Sequence, residues 1–323
     1  MSGVRWARAV GGLVLLALLA WRLGGGPFVD GLRSVDARVL VLGAVIGVPT
    51  TVCCAWRWRV VARGLGMALP LRVAVAACYR SQLVNTALPG GVLGDVHRGV
   101  GHGRRAGDTV RGLRAVAWER TAGQVVQGAV TVVVLLLLPS PVAATVPAAV
   151  LVAAGLTLVA AVAAVAAVRG GRATSWGRVL GAARRDVRAG LLSRHAWPGV
   201  LGASLLAVTG HVATFLVAAR AAGVTASPVR LLPLALLVLV AMAVPVNLAG
   251  WGPREGMAAW AFGAAGLGAD AGVATAVVYG VIVLVAGLPG ALPLSPPDSS
   301  GVTRVAAAGR PQTNRGRREV ARG

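Results

Sequence analysis

Several runs of this chain stay apolar for 18 or more residues, the length a helix needs to cross about 30 Å of hydrocarbon. In lipid every backbone polar group must be satisfied within the protein, so such runs are helices of an integral membrane protein. A window of about 20 residues places six full spans, at Ala9–Leu23, Val39–Trp56, Ala115–Leu138, Val142–Val168, Pro198–Ala219 and Ala271–Leu292. Two further apolar stretches do not run through. Leu71–Leu88 is broken by the sequence LPGGVLGD, and Leu231–Leu248 by NLAGWGPRE. Arg5 and Arg8 ahead of a short apolar core give the first span the outline of a signal peptide. Trp21 and Arg22 stand where small residues should mark cleavage, so a retained anchor is expected.

Composition agrees. Only 13% of residues are charged and 56% are hydrophobic, whereas a soluble domain carries about a quarter charged residues. All 32 basic residues are arginine. Without lysine there is no P-loop lysine, Schiff-base lysine or kinase-type lysine. The net charge of +22 could suggest nucleic acid, but the arginines sit in the loops between apolar runs, where membrane proteins keep their cytoplasmic charge. No nucleic-acid partner is therefore expected. Cys53, Cys54 and Cys78 lie inside apolar runs and form no CxxC or Cys/His cluster, so neither a metal nor any other cofactor is expected.

Arginine placement also orients the chain. With the N-terminus in the cytoplasm and sides alternating at each full span, only Arg22, Arg33, Arg38, Arg220 and Arg230 fall outside, while Arg80, Arg120 and Arg254 fall within membrane segments. The others, Arg57 among them, are cytoplasmic, which puts both termini on that side of the cell membrane. The arrangement requires each broken stretch to enter and leave on one side, Leu71–Leu88 from the cytoplasm and Leu231–Leu248 from outside. The expected fold is thus an all-α polytopic membrane protein of about six transmembrane helices plus two re-entrant hairpins in an inverted repeat, the arrangement whose broken helices meet near the midplane. Residues 1–294 form this transmembrane domain. The stretch 295–323, rich in Pro, Gly, Ser, Thr and Arg, reads as a disordered basic cytoplasmic tail.

The chemistry gathers at the breaks. Asn85, Pro89, Gly90 and Gly91 interrupt the first stretch, and Asp95 and Arg98 follow on one face of the returning helix. In the second, Pro245, Asn247, Gly250, Gly252 and Pro253 break the helix before Arg254 and Glu255. Sequence neighbours on a helix point about 100° apart, so Arg254 and Glu255 are each expected to need another partner. Trp251 there can be an interfacial anchor or a wall for an acyl chain. Glu119 and Arg120 open a long span, and Arg80 lies within an apolar helix. Taken as a buried set, Arg80, Arg98, Arg120 and Arg254 face Asp95, Glu119 and Glu255 and leave one arginine in surplus. Charges inside a bilayer cost at least about 2.5–3.5 kcal/mol each, so pairing is expected, with Asp95 and Glu255 each meeting arginines of the opposite hairpin. The surplus cation and two helix N-termini suit an anion, and a bidentate arginine suits phosphate. His97 and His102 are expected to be exposed loop residues, His195 an interfacial residue, and His211 a polar contact within the bundle.

The ordered motifs LPGGVLGDVHR, ERTAG and NLAGWGPREG resemble the transmembrane region of lysylphosphatidylglycerol synthases, also called the flippase-like family, over nearly all of Ala9–Leu292. The resemblance implies a helix bundle that moves or handles polar-headed or isoprenoid-linked lipids between leaflets. It marks Asn85, Pro89, Gly90, Gly91, Asp95, Arg98, Glu119, Arg120, Gly250, Gly252, Arg254 and Glu255. Two positions depart from the family pattern. Leu93 stands where another glycine is frequent, and Gly280 where an arginine is common. The soluble aminoacyltransferase domain of the bifunctional members has no counterpart in the polar residues after the last span, so this chain is not expected to make lysyl-lipid itself.

Three functional classes follow. The leading one is a translocase for a phosphate-headed lipid, not itself an enzyme, with membrane lipids as partners. The second is a scaffold or accessory subunit serving a cell-envelope lipid or glycan enzyme. The third is a membrane lipid transferase using Asp95 or Glu255 as base.

Overall fold

The computed structural model describes residue 21 and residues 25–88, 91–138, 176–243 and 252–292. The first and fourth spans expected from the sequence, apart from Trp21, lie outside the described residues, as do Pro89, Gly90, Asn247, Gly250 and Trp251. What is described is entirely helical: α1 (Gly26–Arg33), α2 (Ala37–Gly64), α3 (Leu71–Ala87), α4 (Leu93–Arg105), α5 (Thr109–Leu137), α6 (Trp176–Gly190), α7 (Trp197–Ala221), α8 (Pro228–Ala241), α9 (Pro253–Ala264) and α10 (Ala269–Gly287), with a 3₁₀ turn at Leu288–Ala291.

Four of these helices are long and apolar enough to cross a membrane: α2, α5, α7, and α10 with its 3₁₀ extension. They correspond to the four expected spans that fall among the described residues. Two begin earlier than the hydropathy suggests because polar caps start them. Asp36 accepts a hydrogen bond from the Val39 amide at 2.8 Å and Asp108 from that of Arg111 at 2.9 Å, each satisfying an amide the helix leaves open. As a result Glu119 and Arg120 do not open α5; they lie nearly three turns inside it. Similarly, α2 continues to Gly64, beyond the expected end at Trp56, and carries Arg57 into the bundle.

The two interrupted stretches become pairs of short helices, α3 with α4 and α8 with α9. At about 1.5 Å per residue none of the four spans the hydrocarbon thickness. Both second members start at a glycine with positive φ, Gly91 (59°) before α4 and Gly252 (125°) before α9, a backbone shape that side-chain-bearing residues resist. Between α3 and α4 the backbones touch. A Cβ added to Gly94 would sit within 2.6 Å of the Ser81 Cα.

The main apolar core joins α7, α8, α9 and α10, and within it Phe215 meets Phe262 edge-on and Tyr279 at a tilt. A second core packs Trp58, Met67, Leu69, Ala74 and Val116 between α2, α3 and α5. Between these two cores lies the polar interior. On the flank, Asp186 of α6 joins Arg114 and accepts from the Trp118 indole at 3.1 Å, while Arg184, Arg185 and Arg188 stay exposed.

The Gly94 contact yields a direct test. Gly94→Ala forces α4 off α3, and such overpacking costs about 1–3 kcal/mol. Its melting temperature in detergent is expected to fall by several degrees, whereas Gly101→Ala, at a position with open space around it, should lose far less. An unchanged melting temperature for Gly94→Ala would contradict the packing described.

Candidate functional site

A chain of alternating charges runs through the polar interior. Arg57 of α2 binds one oxygen of Glu119 through Nε at 2.9 Å and Nη2 at 2.6 Å, and its Nη1 reaches Ser204 Oγ on α7 at 3.2 Å. The other Glu119 oxygen accepts from Arg98 Nη2 at 2.6 Å. Arg98 in turn donates from Nε to Asp95 at 2.9 Å, and Arg120 reaches the second Asp95 oxygen at 2.5 Å. Three arginines therefore alternate with two carboxylates. Burying ions is tolerable only with such close pairing and with further hydrogen bonds to the remaining lone pairs. Asp95 meets that condition, since Ser81 Oγ and Asn85 Nδ2, one helical turn apart on α3, also donate to it at 3.0 Å each. Asn85 accepts as well, from the Gly94 amide at 2.8 Å, and so fastens the end of α3 to the start of α4.

The Arg98 guanidinium also lies 4.7 Å from the centre of the Trp58 ring, a favourable face for a cation. Trp58 meets His102 edge-on at 5.6 Å. His102 is buried, contrary to the expected exposed loop position, because α4 turns it toward Trp58; burial, with Arg105 nearby, lowers its pKa. His97 is exposed as expected, and His195 is exposed too.

A second pair stands at the start of α9. Here one expectation fails: Arg254 and Glu255 do bind each other, through Nε at 2.8 Å and Nη2 at 2.6 Å. Glu255 occupies the third helical position and folds back to accept from the Gly252 amide at 2.7 Å, which brings its carboxylate within reach of the long arginine side chain. Nor, among the described residues, does either acid pair with an arginine of the other pair of short helices. Asp95 is served from α4 and α5, Glu255 from α9. The Arg254 guanidinium lies 5.9 Å from the Tyr279 ring centre and fills the space that a Cβ at position 280 would need. Gly280, the departure from the family pattern, is thus what lets Arg254 lie against α10. Gly123 does the same for Arg57, whose guanidinium is 2.8 Å from where a Cβ would be. The Tyr279 hydroxyl is paired with His211 Nδ1 at 3.1 Å, the bundle contact expected of that histidine.

These groups surround a cavity of about 260 Å³. Its lining includes Arg57, Arg98, Arg120 and Arg254, Asp95 and Glu119, and a set of neutral polar residues from Thr50, Thr51 and Gln82 to Gln124, Gln127 and Thr214. Asn85 and Gly91 line it too, whereas Gly252 and Glu255 stand behind Arg254 and outside the lining. Arg80 takes no part. Cys78, Ser81, Gln82 and Asn85 share the cavity-facing side of α3, and residue 80 falls on the opposite side at 100° per residue. It makes no ion pair among the described residues. The residue that takes its place in the set is Arg57, which positive-inside counting assigned to the cytoplasm. Arg57 stands three residues after Cys54 and seven after Thr50, on one helical face, and Glu119 needs a cation deep in the bundle; those were the available signals.

Four guanidinium groups thus meet three carboxylates, and no other acid lies between Glu119 and Asp186 or between Asp186 and Glu255 to balance them. Of the four arginines, Arg57, Arg98 and Arg254 have side chains at most 9% exposed, while that of Arg120 is 46% open. The arrangement can hold an anion at Arg120 without disturbing the pairs behind it. Among the described residues no group of three or more His, Cys, Asp or Glu could hold a metal ion.

The sequence profile described as "Lysylphosphatidylglycerol synthase TM region" matches residues 5–290. The chain belongs to that family. It is accordingly a multi-pass membrane protein of a lipid-related type. No curated protein and no solved structure matches it. In this lysylphosphatidylglycerol synthase TM region protein, the family motifs carry the charge chain itself: LPGGVLGDVHR holds Asp95 and Arg98, ERTAG holds Glu119 and Arg120, and NLAGWGPREG holds Arg254 and Glu255.

Removing Arg57 leaves Glu119 buried on Arg98 alone. Arg57→Ala should destabilise the protein by about 3–5 kcal/mol, and Arg57→Ala with Glu119→Ala should lose less than the two single losses combined. Thermal unfolding of the purified single and double variants measures this, and strict additivity would show that the pair is not coupled.

Proposed function

We propose that this protein moves a phosphate-headed lipid, a phospholipid or an isoprenoid-linked one, between the leaflets of the cytoplasmic membrane. The observation that carries this reading is Arg120, a half-exposed cation on the lining of a polar cavity in which every carboxylate is already engaged. A phosphate leaving water for the membrane interior loses its hydration, and pre-placed guanidinium groups substitute for it with paired, charge-assisted hydrogen bonds. The cavity is smaller than the roughly 300–1,000 Å³ of sites that enclose a drug-sized ligand. It suits a headgroup whose acyl or isoprenoid chains remain in the surrounding lipid. The charge inventory supports a binding role: the acids are held by arginines and so are poorly placed to act as bases. The arginine-rich loops support a topology with both termini in the cytoplasm.

Two measurements test the reading together. Mass spectrometry of lipids retained by the purified protein should find a phosphate-headed class enriched on the wild type and lost from Arg120→Ala and Asp95→Asn. In proteoliposomes, the leaflet-exchange rate of that lipid should fall at least about tenfold in Arg120→Ala, the loss of one charged hydrogen-bonding partner. Exchange at the wild-type rate in Arg120→Ala would overturn the assignment.

A further inference from the structure

We infer that the cavity selects a phosphate lipid whose headgroup is neutral and rich in hydroxyls, and discriminates against headgroups that carry an ammonium. This inference rests on the phosphate reading above and adds the chemistry of the rest of the headgroup.

The first ground is the state of the acids. The two oxygens of Asp95 accept from Ser81, Asn85, Arg98 and Arg120, which fills the roughly four lone-pair positions a carboxylate offers. Glu119 accepts from Arg57 and Arg98 and is 1% exposed, and Glu255 accepts from Arg254 and the Gly252 amide and is 0% exposed. An ammonium brought into this cavity beside the phosphate meets arginines and finds no carboxylate, and an unpaired buried charge is strongly disfavoured.

The second ground is the neutral wall. Arg57 is level with Glu119, and Thr50 lies two turns away along α2, about 10 Å at the helical rise. There Thr50 faces Gly210 of α7, next to His211, and Gln127 lies a similar distance beyond Glu119 on α5. The hydroxyls of Thr50, Thr86 and Thr214 donate to carbonyls of their own helices, at 2.7, 2.8 and 2.9 Å. Their protons are used, so toward the cavity they offer acceptor lone pairs. Gln127 offers the opposite, since its buried Nε2 donor has no hydrogen-bond partner. A wall of threonine acceptors with glutamine amides that donate (Gln82, Gln124 and Gln127) fits a group that both gives and takes hydrogen bonds. A hydroxyl does both, whereas an ammonium only gives.

The decisive comparison is between phosphatidylglycerol and phosphatidylserine, two lipids of equal net charge taken with identical acyl chains, so that overall charge does not produce the result; phosphatidic acid, a phosphomonoester, reports on the phosphate alone. The full-length protein in detergent is titrated with phosphatidylglycerol, phosphatidylserine and phosphatidic acid, with binding read by native mass spectrometry. Phosphatidylglycerol is expected to bind at least about tenfold more tightly than phosphatidylserine, the difference of one unpaired buried polar group. Gln127→Glu removes the unused donor and places a carboxylate on the wall, and should bring that ratio close to one. Equal binding of phosphatidylglycerol and phosphatidylserine to the wild type, with phosphatidic acid also bound, overturns the selectivity and leaves the phosphate reading standing. A wild-type preference that survives Gln127→Glu unchanged overturns the assignment to this wall. Binding of none of the three, or binding unaffected by Arg120→Ala, overturns the phosphate reading and this inference with it.

Discussion

The whole interior is organised by the pairing of Glu119 with two arginines from two different helices. Glu119 is essentially inaccessible and sits deep in a membrane-crossing helix, where a lone carboxylate would be costly. Arg57 and Arg98 make it tolerable, and in doing so they dock α2 and α4 against α5. Arg98 needs a second acid, which brings in Asp95. Asp95 needs its remaining lone pairs filled, which recruits Ser81 and Asn85 and so fixes α3. Each ion solves the problem created by the one before it. The chain ends at Arg120, which has Asp95 on one side and the cavity on the other.

Arginine is suited to this arrangement in a way lysine is not. The guanidinium distributes five N–H groups in a plane and can serve two acids at once, as Arg98 does, or an acid and a hydroxyl, as Arg57 does. A flat head also needs a flat place to lie. Gly123 on α5 and Gly280 on α10 supply it, each removing the Cβ that would collide with Arg57 or Arg254. The same solution appears in both parts of the interior, although the two arginines come from different kinds of helix. One lies within a long span and the other in the first turn after a break.

The sequence revealed much of this, for identifiable reasons. Long apolar runs in a low-charge chain have one stable outcome in lipid, so the four described spans fall where hydropathy put them. Helix-breaking residues at Gly91 and Gly252 mark real breaks because only glycine accepts those backbone angles without strain. The errors come from a different source. Arg57 follows the end of one apolar run and Arg80 lies within another, and counting cannot tell which faces inward; that depends on the phase of each helix against its neighbours. The 100° between neighbours on a helix separates the Arg254 and Glu255 side chains only where they leave the backbone; Glu255 bends back to the Gly252 amide and Arg254 is long enough to follow. Helix caps such as Asp108 moved Glu119 and Arg120 from the edge of a span to its interior, and capping is weakly visible to a hydropathy window.

Burial also divides the arginines by role. Arg57 and Arg98 are closed in by acids, aromatic rings and small residues, and moving either would leave Glu119 short of a partner. Arg120 contacts one oxygen of an acid that has three other donors, and nearly half of its side chain is open. An anion can therefore engage Arg120 while the pairs that hold α2, α4 and α5 together persist. A binding group held ready in this way loses little on meeting its ligand, because its position is already set by the surrounding structure. On the translocation reading, the cost of building a charged interior is met once, when the bundle folds, and each passing phosphate uses a site already in place.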